Sequence, residues 1–251
     1  MARETITVDA LVTQLRQVHG DALHAVVLYG SAATDEQVAG RSDLNVLVIV
    51  EAVDLTQLRQ LAQTMRAWQE AGHAPVLELT RAEWQRSADI FPIEYADILE
   101  RHRVLHGAFP LEGITVHLPE LRLQTEHEAM GKLLRLRRGV MVAGTDAEQQ
   151  RALLQSSLSA LLVIFRAVLR LHGHRPARDA RQVITDVATQ CGFDAAPFTR
   201  VHALVRGTAL SDRDTETVLH GYVQGMTALV VYLDQFTPPA HADDVVSPDL
   251  S

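Results

Sequence analysis

"LYGSAATDEQVAGRSDLNVLVIV", residues 28–50, is the stretch whose reading decides the fold. An apolar run ends on Gly30-Ser31, eleven residues pass, and Asp43-Leu44-Asn45 opens a second apolar run. Side chains two apart on a strand share one face, about 6–7 Å from each other along the chain. A carboxylate and a second polar group therefore point the same way at a strand start, which is an arrangement suited to a hard cation. The second group, however, is the neutral amide of Asn45. Its carbonyl oxygen can coordinate, but it brings no charge.

The flanking sequence alternates. "VDALVTQLRQVHG" (8–20) has apolar residues at helical spacing and stops on Gly20. "HAVVLY" (24–29) and the apolar end of 43–50 read as strands covered on both faces. Asp54 is placed to cap one long helix that ends at Gly72. "PVLELT" (75–80) reads as a third strand, and Thr80 with Glu83 forms a capping-box signature for the next helix. "IEYADILERH" and "RVLHG" then predict a short helix and an edge strand. The expected first domain, 1–112, is thus a small mixed sheet with helices packed on it.

From Pro119 the pattern is almost wholly helical, over 120–142, 146–172, 179–190, 195–206 and 212–235. This half, 113–236, is expected to be a helical bundle. The fold class is therefore α+β, a small mixed sheet followed by helices. The stretch "TPPAHADDVVSPDLS" (237–251) has no helical period, and the tail is expected to be disordered.

Composition narrows the function. An apolar share of 47% with 22% charged residues belongs to a folded globular chain rather than a disordered one. The net charge of −8 and the lack of a basic run argue against a nucleic-acid partner. A single cysteine, Cys191, excludes an internal disulfide and reads as an inert buried thiol. The N-terminus lacks a signal-peptide layout, and "SALLVIF" (159–165) is shorter than a span of about 18–20 apolar residues. The expected location is cytoplasmic, with no membrane partner. Trp68 and Trp84 fall on helical patterns as core residues.

The strand, Gly30-Ser31, loop, Asp43-x-Asn45 and a later strand acid at Glu78 resemble the signature of the DNA polymerase β-like nucleotidyltransferase superfamily. The resemblance covers residues 20–80. It implies Gly30 and Ser31 at a helix start as the triphosphate contact, and Asp43, Asn45 and Glu78 as ligands for Mg²⁺. Glycine lets the backbone turn beside phosphates, and a helix start offers N–H groups to an anion. Asp43 and Glu78 would carry the catalysis. The implied partners are an NTP, with ATP foremost, and an unidentified small-molecule or protein acceptor bearing a hydroxyl; a homodimer is left open. Because Asn45 replaces an acid, a degenerate nucleotide-binding or interaction protein on the same fold is the alternative.

Two further patterns lie in the helical half. Glu128 and Lys132, the latter the only lysine, are four apart and so share a helix face. An intrahelical ion pair is the plain reading. Similarity to aminoglycoside nucleotidyltransferases implies a base role for Glu128 and a phosphate contact for Lys132. Arg166 and His172 loosely resemble the arginine–histidine pattern of HEPN ribonucleases, although His172 and His174 at a helix end suit contacts with terminal carbonyls.

Overall fold

The computed structural model describes residues 6–33 and 44–237. The chain divides into two compact units that meet between Val116 and His117. The fold is α+β, with a four-stranded mixed sheet in the first unit and helices alone in the second. Asp43 and the tail beyond Thr237 lie outside the described residues.

In the first unit, α1 (Val8–His19) precedes β1 (Leu23–Tyr29), and β2 (Asn45–Val50) lies antiparallel to it. Every residue from Ala25 to Leu28 and from Val46 to Val50 is buried, as their unbroken apolar runs require. Residues 55–70 form two helices instead of one, α2 (Leu55–Gln60) and α3 (Ala62–Glu70), parted at Leu61. Asp54 caps α2 by accepting from the N–H groups of Thr56 and Gln57.

β3 (Leu77–Thr80) begins two residues later than the apolar run suggests and pairs parallel to β2. Thr80 and Glu83 make the full capping box at the start of α4 (Arg81–Arg86). α5 (Pro92–Glu100) leads into β4 (His102–Gly107), antiparallel to β1, so the sheet order is β3-β2-β1-β4.

The sheet has two distinct faces. Val26, Leu28, Val46, Val48 and Val50 form one core with Leu11 and Leu15 of α1, Leu61, and Trp68 of α3. Trp68 donates its indole N–H to Ala74 O at 2.9 Å. Trp84 is equally buried, donates to Pro110 O at 2.8 Å and stacks on Tyr95. Both tryptophans are core residues with their polar atom satisfied.

The second unit comprises α6 (Leu118–Ala143), α7 (Ala147–Leu171), α8 (Ala180–Cys191), α9 (Ala196–Val205) and α10 (Asp212–Gln235). α6, α7 and α10 pack on one another, and Arg122 of α6 closes the end of α10 by donating to Phe236 O, Leu233 O and Asp234 O. As a whole helix, α7 is long and apolar enough to cross a membrane, which its short run at 159–165 did not suggest; half of its most apolar window is buried within the protein.

Candidate functional site

The site indicated by the sequence starts where β1 ends. Gly30 has φ +77°, and its N–H donates to Arg101 O at 3.1 Å. A Cβ there would stand 3.6 Å from Asn45 Nδ2 and 3.9 Å from Asp97 Oδ2, which is ordinary contact. Glycine is required by the backbone angle, not by lack of space.

After Gly30 the chain makes a single 3-10 turn, Gly30–Ala33, which contains Ser31. The helix start expected there is not found among the described residues. With one turn there is no extended row of aligned dipoles, so the anion-binding argument based on a helix terminus does not apply to Ser31.

Asn45 is half-buried and opens β2 opposite Tyr29 of β1. Paired residues on neighbouring strands share a face, and faces alternate along each strand. Leu47 pairs with Leu77 and Val48 with Glu78. Glu78 therefore lies on the Val48 face and Asn45 on the other; it is Leu77 and Leu79 of β3 that share Asn45's side.

Glu78 points instead towards α1. Its carboxylate is 3.4 Å from His19 Nε2, with side-chain exposures of 6% for Glu78 and 0% for His19. Neither Glu78 oxygen nor either His19 ring nitrogen has a hydrogen bond of good geometry. Burial pushes the Glu78 carboxyl above its ordinary range, and the neighbouring imidazole opposes this. The structure does not bring Glu78 to Asn45, and the metal triad drawn from the resemblance is corrected at this position.

The acid that does stand beside Asn45 is Asp97 of α5, held in an ion pair by Arg101 one turn later. The sequence offered only a weak signal for it, an Asp-x-x-x-Arg spacing in a short helix expected to pack on the sheet. The described donors near Gly30 are thus one amide and one carboxylate already engaged by a guanidinium. Among the described residues no group of three His, Cys, Asp or Glu could hold a metal ion. This donor set does not fit Mg²⁺, which favours carboxylate oxygens left free to coordinate.

In the second unit, Lys132 Nζ lies 3.3 Å from Glu128 Oε2, the i,i+4 pair of the plain reading. Lys132 also lines a cavity of about 220 Å³ with Arg135, Ser156, Ser157 and Met226. Arg166 is buried in the middle of α7. His172 does not turn to the helix-end carbonyls: its Nε2 is 2.7 Å from the Tyr232 hydroxyl, and its Nδ1 is 3.2 Å from Gln190 Nε2. Six residues place Arg166 and His172 roughly 120° apart around a helix, so they do not form one constellation. Cys191 is partly covered, and burial pushes its thiol up to about 12.

No protein-family model matches the chain. No curated protein matches it either. Among solved structures, it is similar to the spectinomycin adenyltransferase AAD(9) from Enterococcus faecialis, crystallised with ATP and spectinomycin, at 12% identity and a TM-score of 0.59. The match covers 91% of this chain and 98% of that one. The chain accordingly has a nucleotidyltransferase-like fold.

Proposed function

We propose that the protein is a nucleotide-binding member of this fold that has lost the two-ion transfer reaction. The observation that carries the reading is the placement of Glu78 against His19, on the sheet face opposite Asn45. Removal of one acid from a metal set weakens it, and replacement of a second by an amide leaves too little negative charge for two hard cations. The bound nucleotide in this reading is an NTP, with ATP foremost, since the solved neighbour was crystallised with ATP.

Gly30 would let the backbone approach the triphosphate, with Ser31 beside it. Binding measured calorimetrically with ATP, in EDTA and then in Mg²⁺, tests this reading. The expected result is weak binding of similar strength in both.

A second reading has one specific observation in its favour: Asp97 stands on Asn45's side, at Gly30. Together with Asp43, just ahead of Asn45 in the sequence, it offers an acid pair that does not use Glu78. The chain would then move NMP from an NTP to a hydroxyl of an unidentified small-molecule or protein acceptor. In this reading Glu128 is the base and Lys132 a phosphate contact. Pyrophosphate release that depends on Asp97 and not on Glu78 would favour it.

A further inference from the structure

α6 buries Leu121, Thr125, Ala129, Leu133 and Leu136 along one face. The opposite face carries a second apolar stripe that is open to solvent. Leu123 is 65% exposed, Met130 42%, Leu134 43% and Met141 75%. At about 100° per residue these four side chains fall within roughly 40° of one another. With His127 and Arg137, both exposed, they occupy every position of a 4-3-4-3-4 spacing, that of a coiled-coil seam.

The seam reads the same way from both ends. Pairing it antiparallel with itself sets Leu123 opposite Met141, Met130 opposite Leu134 and His127 opposite Arg137. An interface between identical chains related by a two-fold axis needs this self-complementarity, in which residue i meets j and j meets i. Charge selects the direction. The antiparallel arrangement brings Glu126 beside Arg137 of the second copy, twice by symmetry, whereas an in-register parallel pair sets Arg137 against Arg137.

We propose that this face of α6 is a homodimer interface in which two copies pack antiparallel along the 123–141 seam. The occupant is a second copy of this chain, because a heterologous partner would not require the palindromic order of the seam. From Leu123 to Met141 the face is about 27 Å long. A single helix face of that length lies at the low end of interface sizes, under about 1,200 Å² in total, so the dimer is expected to be concentration-dependent.

Sedimentation equilibrium of the full chain from nanomolar to sub-millimolar concentration reads the assembly directly. A monomer–dimer equilibrium is expected, and Leu134→Glu and Met130→Glu should each shift it to monomer with an unchanged circular dichroism spectrum. The double variant Leu123→Cys/Met141→Cys, in a Cys191→Ser background, should form covalent dimers on oxidation while each single variant should not. A wild-type chain that stays monomeric throughout overturns the proposal. So does a dimer that survives both glutamate variants, or cross-linking of Leu123→Cys alone, which would mean a parallel pair.

Discussion

The carboxylate of Glu78 and the imidazole of His19 meet at 3.4 Å behind the sheet, both closed off from solvent. Burial raises the Glu78 carboxyl, so the folded protein holds that proton more tightly than the unfolded chain does. Stability from this group is complete below the unfolded carboxylate range and is lost as pH rises through the folded value. Glu78→Gln removes the ionisable group and keeps its shape. The variant is expected to match wild type at acidic pH and to exceed it at neutral pH by on the order of 1 kcal/mol, the cost of an ill-satisfied buried group. Urea unfolding of both proteins across pH checks this, and a variant less stable at neutral pH would mean that the pair is a strong ionic contact.

Asn45→Asp adds a charge beside Asp97 at nearly constant shape. Like carboxylates raise each other's pKa, so the metal-free variant is expected to melt lower, by about 1 kcal/mol of stability. Millimolar Mg²⁺ should restore it if Asp97 and Asp43 can complete a cation site, by the linkage of ligand binding to folding. Thermal melts in EDTA and in Mg²⁺ are the measurement; a variant that melts alike in both has no recoverable metal site.

Two glycines should respond differently to alanine. Gly30→Ala meets no clash, only the penalty of a left-handed backbone, and is expected to cost about 1–2 kcal/mol. At Gly107, also at positive φ, a Cβ would run into the backbone oxygen of His24 where β4 meets β1. That substitution is expected to cost more than about 4 kcal/mol or to prevent folding, as read by denaturation midpoints.

Lys132→Ala separates the two readings of the α6 pair. An intrahelical ion pair this exposed contributes only about 0.2–0.5 kcal/mol, so stability should barely change. If Lys132 touches phosphate, ATP affinity should fall by about tenfold or more, because hydrogen bonds to charged groups are worth roughly 1.5–3 kcal/mol. Unchanged ATP affinity would leave Glu128 and Lys132 as a surface pair.

The sheet was legible because β1 and β2 are unbroken apolar runs and because Asp54 and Thr80 are caps with a local mechanism. The break at Leu61 was not, since the apolar pattern of 55–70 continues through it. The site was legible only in part. Gly30 and Asn45 do come together, because both sit at the ends of paired strands. Glu78 was misplaced since a strand's sequence does not reveal which of its faces meets its neighbour's, and a slip of one residue reverses every side chain. Asp97 went unnoticed because a helix crossing the end of a sheet is a tertiary relationship. The symmetric seam of α6 was present in the sequence, but it emerges only when the structure identifies the buried face.

Titration of the full-length wild-type chain with ATP, in EDTA and again in millimolar Mg²⁺, tests the central claim most directly. Binding of similar affinity under both conditions, without pyrophosphate release and unaltered by Glu78→Gln, is the expected result. Binding that requires Mg²⁺ and is abolished by Glu78→Gln would contradict it, because Glu78 would then have to reach the metal from the sheet face where it now meets His19.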